Sequence, residues 1–132
     1  MMREAVKDFM SRAVTSVSLS FTLDRLEHLM ADHEIHCLPV IDNAGQCFGV
    51  ISSADLVYWH SRRKNLSKLQ AWEVCTQPVI EVNASLSMMD AAQLMVENGV
   101  HHLIVTQDGV VTGIVSSMYV IQRFISREVG RI

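Results

Sequence analysis

Apolar and polar residues in this chain follow one pattern twice. The segment His-Cys-Leu-Pro-Val-Ile-Asp at 36–42 returns as His-His-Leu-Ile-Val-Thr-Gln at 101–107, which is 65 positions later. The segment Gly-Val-Ile-Ser-Ser at 49–53 returns as Gly-Ile-Val-Ser-Ser at 113–117. Similarity at a fixed period is typical of a duplicated supersecondary unit, and units this small need each other to complete a core.

Each copy predicts the same order of elements, β, α, β, β, α. Runs of β-branched and other apolar residues predict the strands, and apolar residues at helical spacing predict the helices. A short amphipathic segment opens each copy, at 6–10 and 71–74. The predicted strands are 14–17, 38–41 and 48–51 in the first copy and 79–82, 103–105 and 110–115 in the second, and the predicted second helices are 54–60 and 118–125.

Capping residues predict where the first helix of each copy begins. Thr22 precedes the apolar positions of one helix, and Ser87, with Asp90 three residues later, forms a capping-box-like start for the other. Gly99 follows the last turn of this second helix, where a glycine commonly ends a helix.

Strands that alternate with helices predict an α/β (α+β) fold. We expect two β-α-β-β-α repeats that pack sheet to sheet with pseudo-twofold symmetry and form one compact module. Residues 5–60 are the first repeat, 61–70 a polar linker and 71–126 the second repeat.

Composition limits the classes of function. Of the 132 residues, 49% are hydrophobic and 19% charged, and the net charge is −3, which indicates neither a disordered chain nor a nucleic-acid-binding protein. No apolar run reaches the length of a membrane span. The three cysteines lack Cys-x-x-Cys spacing and favour free thiols in a reducing compartment. We therefore expect a cytoplasmic protein that binds neither nucleic acid nor membrane.

Three segments resemble the cystathionine-β-synthase-type (CBS) domain, a family whose members usually occur as tandem pairs. They are Val-Lys-Asp-Phe-Met at 6–10, Leu-Pro-Val-Ile-Asp at 38–42 and Gly-Val-Ile-Ser-Ser-Ala-Asp-Leu at 49–56, and the resemblance covers residues 5–126. It implies a regulatory module that binds an adenosine-containing ligand, such as AMP, ADP, ATP or S-adenosylmethionine, in the clefts between the repeats.

The pattern Gly-x-x-Ser-x-x-Asp at Gly49, Ser52 and Asp55 is suited to a nucleotide. A glycine admits close backbone approach, a hydroxyl and helix N-terminal amides favour a phosphate, and a carboxylate can accept hydrogen bonds from two ribose hydroxyls. The alternative is that Ser52 caps the second helix and Asp55 is an acid of its first turn. The resemblance favours the ribose role for Asp55.

Histidines stand at equivalent positions, His36 and His101, just before the middle strand of each repeat. The resemblance implies that such a histidine contacts ligand phosphate, and the alternative is a ring that caps a backbone carbonyl at the strand edge. In family members with similar segments an arginine follows this histidine, whereas this chain has Cys37 and His102. Loss of a bidentate phosphate donor weakens the case for multiply charged nucleotides.

The second repeat departs from the nucleotide pattern. Gly113 and Ser116 are kept, but Tyr119 stands in place of the carboxylate, and a phenol cannot clamp a diol with two acceptors. Tyr119 either fills the cleft or stacks on a base. In the early extended segment, whose backbone faces adenine in the family, Thr15 offers a polar contact and Ile80 only apolar surface.

These residues predict one competent ligand site and one weaker site, with no cofactor other than the adenosine ligand. The competent site consists of Thr15, His36, Pro39, Gly49, Ile51, Ser52 and Asp55, and the weaker site of Ile80, His101, Gly113, Ser116 and Tyr119.

Apolar residues on the second helix of each repeat predict a homodimer whose geometry an effector protein would read. They lie at 56–59 and at Val120, Ile121 and Phe124. The alternative function is a ligand-independent dimerisation module in which side chains fill both clefts.

No motif predicts catalysis or metal binding. His33 and His36 lack the His-Glu-x-x-His spacing, and the chain carries neither a P-loop nor a nucleophile elbow. We expect a binding module and not an enzyme, with a metal or redox sensor built on histidines and cysteines as a further rival.

Overall fold

A computed structural model describes residues 4–12, 15–62 and 66–129. Contacts between residues divide the chain into two compact units. The first unit is Thr15–Val79, and the second unit joins the N-terminal residues to those from Ile80 onward. Val14 of the predicted first strand and residues 63–65 of the predicted linker lie outside the described residues.

The described part of the first unit contains a three-stranded sheet with the strand order β1-β2-β3. β1 runs parallel to β2, and β3 runs antiparallel to β2. Its elements are β1 (Val17–Ser18), α1 (Leu23–Asp32), β2 (Cys37–Ile41), β3 (Cys47–Ser52), α2 (Ser53–Arg62) and α3 (Ala71–Val74), with a 3-10 turn at Leu66–Lys68.

The second unit repeats this arrangement with the strand order β4-β5-β6. β4 is parallel to β5, and β6 is antiparallel to it. Its elements are a 3-10 turn at Val6–Asp8, β4 (Glu81–Asn83), α4 (Met88–Asn98), β5 (His102–Gln107), β6 (Val110–Ser116) and α5 (Ser117–Val129).

Both units confirm the predicted α+β class and the order of elements. The Ser87 hydroxyl oxygen accepts a hydrogen bond from the backbone N–H of Asp90 at 3.1 Å, and Gly99 ends α4 with a φ of 62°. α1 begins at Leu23 directly after Thr22, although the Thr22 side chain makes no capping hydrogen bond. The local capping signals therefore placed these helix ends correctly.

The first strand of each unit begins later than predicted. β1 begins at Val17 and β4 at Glu81, in the registers Val17↔Val40 and Glu81↔Ile104. A run of β-branched residues indicates extended backbone, but the length of a strand also depends on how far its partner reaches.

The opening segment 6–10 packs in the second unit, although it opens the first sequence repeat. The backbone N–H of Val6 donates to the carbonyl oxygen of Leu86 at 2.8 Å. Val6 and Phe9 are buried in the same core as Val115.

The corresponding segment of the second sequence repeat packs in the first unit. Ala71 and Val74 of α3 are buried with Leu38 and Ile51. The structural units and the sequence repeats therefore divide the chain at different points, and each unit takes its opening segment from the other repeat.

Phe9→Ala tests this exchange of segments. Phe9 is 5% exposed, and truncation of a buried phenylalanine lowers the free energy of unfolding by about 3–5 kcal/mol. We expect the loss to accelerate amide hydrogen exchange in β5 and β6. Lys7→Ala, at an exposed position of the same turn, is the control. Acceleration confined to β2 and β3 would contradict the packing of this segment in the second unit.

Candidate functional site

Three of the predicted site residues lie where the strands of the first sheet begin or end on one side, which we call the sheet edge. Thr15 precedes β1, His36 precedes β2 and Ser52 ends β3. Since β1 and β2 are parallel and β3 runs the opposite way, the starts of the first two strands and the end of the third share an edge. α2 begins directly after Ser52, so its N-terminus lies at this edge as well.

The Asp55 side chain folds back on the beginning of α2. Its Oδ2 accepts hydrogen bonds from the backbone N–H of Ser52 at 2.8 Å and from the Ser52 hydroxyl at 3.1 Å. The Ser52 hydroxyl oxygen in turn accepts a hydrogen bond from the backbone N–H of Asp55 at 3.4 Å. These reciprocal contacts form a capping box. Ser52 and Asp55 therefore both cap α2, as the alternative interpretation of the sequence pattern expects.

The second carboxylate oxygen of Asp55 accepts a hydrogen bond from the Thr76 hydroxyl at 3.0 Å. Thr76 follows α3, and its backbone N–H and carbonyl oxygen pair with those of Val50 at 2.8 and 3.2 Å. Thr76 is not among the residues that the sequence pattern selects. In the alignment of the two sequence repeats, Thr76 corresponds to Ser11, which also carries a hydroxyl. The alignment does not show that the Thr76 hydroxyl contacts Asp55.

Gly49 provides the space that the segment around Thr76 occupies. A Cβ at position 49 would lie 2.6 Å from the Cys75 Sγ and 3.0 Å from the Thr76 carbonyl oxygen. A Cβ at Gly113 would overlap the Met10 side chain. The close backbone approach that both glycines permit is therefore made by the protein's own chain.

His36 is exposed and contacts the first residue of α2. Its carbonyl oxygen accepts a hydrogen bond from the backbone N–H of Ser53 at 3.0 Å, and its Nδ1 lies 3.5 Å from the Ser53 hydroxyl oxygen. His36 also lines a groove of about 540 Å³ between α1 and α2, together with Glu27, Glu34 and Leu56. The Glu27 carboxylate contacts the His60 imidazole, and Glu34 adds a second carboxylate to the groove, which disfavours an anionic group beside His36.

Pro39 in the middle of β2 and Ile51 next to the end of β3 are both fully buried. Ile51 belongs to the core of the first unit with Leu38 and Val40. The Ile51 side chain therefore packs in the core, and only the Ile51 backbone could contact a ligand.

Tyr119 has a stacking partner within the second unit. Its ring lies parallel to that of Phe9, with centroids 6.0 Å apart and planes inclined by 5°. Its backbone N–H donates to the Ser116 hydroxyl oxygen at 3.1 Å, which repeats half of the capping box of the first unit. The position of the missing carboxylate thus carries an aromatic contact.

The other residues of the weaker site repeat the geometry of the first unit. The carbonyl oxygen of His101 accepts a hydrogen bond from the backbone N–H of Ser117 at 2.8 Å, and its Nδ1 lies 3.4 Å from the Ser117 hydroxyl oxygen. Ile80 precedes β4, and its carbonyl oxygen accepts a hydrogen bond from the backbone N–H of Ile104 at 3.0 Å.

Cysteines beside the first site are uncharged. Burial raises the pKa of Cys37 to about 12, and the nearby carboxylate of Asp55 acts in the same direction. Burial also raises the pKa of Cys75. The position directly after His36 therefore holds a neutral thiol that supplies no positive charge for a phosphate.

The predicted association surface needs a correction. Leu56 and Trp59 pack against the core of the first unit, and Val120 is buried in the core of the second. Amphipathic helices turn part of their apolar face toward their own sheet. The presence of apolar residues on a helix therefore does not show which of them are exposed. Among the described side chains of α2 and α5, the large apolar ones that are exposed are Val57, Tyr58, Met118, Tyr119, Ile121, Phe124 and Ile125.

Neither a metal cluster nor a membrane helix is found in the described part of the chain. In residues 4–12, 15–62 and 66–129, no group of three histidine, cysteine, aspartate or glutamate residues is arranged to hold a metal ion. Over the same residues, none of the helices combines the length and the apolar composition needed to cross a bilayer.

Comparison with known proteins points to one family. The sequence model of the CBS domain matches residues 6–62 and 71–126. A protein of Methanopyrus kandleri called uncharacterized protein MK0525 is 29% identical over 120 residues, which are 89% of this chain and 61% of that protein. This chain therefore spans less than two thirds of the length of that relative.

Solved structures share the fold. The crystal structure of the CBS domain of a CBS domain-containing membrane protein from Sphaerobacter thermophilus has 28% identity and a TM-score of 0.78, covering 92% of this chain and 88% of that one. The CBS domain pair of protein MJ0100, in complex with 5′-methylthioadenosine and S-adenosyl-L-methionine, has 23% identity and a TM-score of 0.84, covering 94% and 98%. At 23% identity, the similarity to the MJ0100 domain pair shows only that the fold is shared.

The raised pKa of Cys37 predicts an unreactive thiol. At pH 8 a thiol with a pKa of about 12 is ionised in about one molecule in ten thousand, and only the thiolate reacts. We expect iodoacetamide to label Cys37 in urea but not in the native protein, as measured by mass spectrometry of its peptide. Labelling at equal rates in the two states would contradict the burial of this thiol.

Proposed function

Because the chain belongs to the CBS domain family, we propose that it is a regulatory module that binds an adenosine-containing ligand at the edge of its first sheet. The observation that carries the proposal is the Asp55 carboxylate, which three hydrogen bonds hold at the N-terminus of α2. A carboxylate fixed in one orientation binds hydroxyls without a further loss of side-chain entropy. Both ligands of the MJ0100 domain pair carry a ribose with two vicinal hydroxyls.

The layout of the sheet edge fits a nucleoside. β1 and β3 flank β2, and neighbouring strands are about 4.8 Å apart, so the start of β1 and the end of β3 are about 10 Å apart. Thr15 lies two residues before β1, and Asp55 lies in the first turn of α2, directly after β3. We place the ribose at Asp55 and the base toward Thr15. His36 lies between them at the start of β2, and Ser52 ends β3 on the other side. Gly49 contributes indirectly, because it admits the segment that carries Thr76.

Charge favours an adenosine ligand without several phosphates. The residue after His36 is a neutral thiol, and Glu27 and Glu34 line the groove that His36 faces. Anionic groups would meet these carboxylates without a balancing arginine. Among AMP, ADP, ATP, S-adenosylmethionine and 5′-methylthioadenosine, we therefore expect the last two to bind most tightly.

We do not expect the weaker site of the second unit to recognise a ribose. Tyr119 stacks on Phe9 and offers no carboxylate, so Ile80, His101, Gly113 and Ser116 surround a position without ribose recognition. The stacking also favours the second candidate function, a dimerisation module that needs no ligand, for this half of the chain.

Asp55→Asn tests the ligand proposal. The change keeps the shape of the side chain but removes the charge that strengthens hydrogen bonds from ribose, so we expect affinity for 5′-methylthioadenosine to fall by about 10- to 100-fold. Isothermal titration calorimetry with the five ligands measures this. Glu73→Gln is the control, because Glu73 accepts a backbone hydrogen bond from Gln70 at 3.1 Å in another capping box of the same unit.

Two results would overturn the ligand proposal. One is the absence of binding by all five adenosine ligands, with no rise in the unfolding temperature of the wild-type protein. The other is equal affinity of wild type and Asp55→Asn. The first result would favour the ligand-independent dimerisation module.

We further propose that the module is a homodimer and that an effector protein reads its ligand-dependent geometry. α5 exposes Met118, Ile121, Phe124 and Ile125, each about half exposed or more. Apolar side chains clustered on one helix are typical of an association surface. A second copy of the chain is the occupant that closed symmetry makes simplest.

Ile121→Glu tests the dimer. Burial of a carboxylate in an apolar interface is costly, so we expect the variant to be monomeric at concentrations where the wild type has twice the chain mass of 14.8 kDa. Multi-angle light scattering measures the mass. Gln122→Glu, which adds the same charge at the neighbouring exposed position, should leave the dimer intact. A monomeric wild-type protein would refute the homodimer.

A further inference from the structure

We infer that Thr76 is the second acceptor for the ribose diol, so that the clamp consists of Asp55 Oδ1 and the Thr76 hydroxyl oxygen. This inference rests on the proposed function and names the residue that would set its specificity for a ribonucleoside. The two oxygens lie 3.0 Å apart and are joined by the hydrogen bond that Thr76 donates.

A count of acceptor positions leads to this inference. Each carboxylate oxygen can accept about two hydrogen bonds. Oδ2 of Asp55 already accepts from the backbone N–H and from the hydroxyl of Ser52. Oδ1 already accepts from Thr76, so about one acceptor position of Asp55 remains. A clamp on two vicinal hydroxyls needs two.

The Thr76 hydroxyl supplies the missing acceptor. A hydroxyl that donates one hydrogen bond keeps acceptor capacity on its oxygen. Vicinal hydroxyl oxygens of a ribose are separated by about the length of a hydrogen bond, which is the separation of Asp55 Oδ1 and the Thr76 hydroxyl oxygen. Thr76 is exposed, so its hydroxyl is accessible to a ligand.

The backbone holds Thr76 at this distance. Two hydrogen bonds with Val50 fix its main chain, and the missing Cβ of Gly49 lets it approach β3. Fixed acceptors recognise a ligand with little ordering on binding. The Thr76 hydroxyl is therefore preorganised by two neighbours, the strand and the carboxylate.

The second unit supplies an internal comparison. Ser11 is the counterpart of Thr76 and pairs with Ile114 through the same two backbone hydrogen bonds, at 2.9 and 3.1 Å. In this unit, Tyr119 stands at the position of the carboxylate. The same backbone hydrogen bonds thus form in both units. The pair of a carboxylate oxygen and a hydroxyl oxygen is observed in the first unit, at Asp55 and Thr76.

The test uses 5′-methylthioadenosine and its 2′-deoxy and 3′-deoxy analogues as probes in calorimetric titrations of the full chain. Thr76→Val keeps the shape of the side chain and removes the hydroxyl, and we expect affinity for 5′-methylthioadenosine to fall by about 5- to 10-fold. Thr76→Ser restores the hydroxyl and should bind within about twofold of wild type. The thermal unfolding of each variant confirms that it is folded.

The deoxy analogues separate a ligand contact from a structural effect. In the wild type, removal of either hydroxyl should weaken binding by about 5- to 10-fold. In Thr76→Val, the penalty for one of the two hydroxyls should fall to within about twofold, because its acceptor is gone and the valine methyl still covers the position on Asp55 Oδ1 that faced Thr76, while the penalty for the other persists. Thr22→Val is the matched control, since it makes the same substitution at a threonine that precedes α1, beyond the other end of β1.

Three outcomes have distinct meanings. Loss of one deoxy penalty in Thr76→Val supports the clamp. Unchanged or higher affinity of Thr76→Val, or an equal loss for all three probes, overturns the role of Thr76 while the proposed function stands. Absence of binding by all adenosine ligands to the wild type overturns the proposed function and this inference with it.

Discussion

The pairing of Thr76 with Val50 on the outer edge of β3 is the constraint on which the candidate site depends. It ties the segment after α3 to the first sheet and places a hydroxyl beside Asp55. Gly49 permits the pairing, because a Cβ there would overlap Cys75. The pairing also satisfies backbone groups that would otherwise form an open strand edge. One backbone contact thus serves both the stability of the sheet and the construction of the site.

Local signals in the sequence predicted the order of elements and several helix ends correctly. Capping residues act through neighbours a few positions away, so Ser87 and Gly99 could be interpreted without a three-dimensional structure. The duplication likewise predicted that the two units would share one topology. These features follow from contacts that are close in sequence or repeated along it.

The exchange of opening segments could not be predicted in this way. The segments 6–10 and 71–74 have similar amphipathic patterns, and such a pattern states that a face is buried but not which sheet buries it. The contact between Thr76 and Asp55 follows from that exchange, and for this reason sequence reasoning missed Thr76. The burial of Ile51 was hidden for a similar reason, since its side chain belongs to the core while the side chain of its neighbour Ser52 caps the helix.

The two interpretations of Asp55, as a helix cap and as a ligand contact, are physically compatible. Capping fixes the orientation of the carboxylate, but each capping hydrogen bond occupies an acceptor position that a diol would need. A capped carboxylate therefore binds a diol well only if a second acceptor stands next to it. The second unit keeps the paired segment, the glycine and the capping serine, and differs at position 119. Since the backbone frame is the same, the difference between the two sites comes from side-chain chemistry and not from a change of fold.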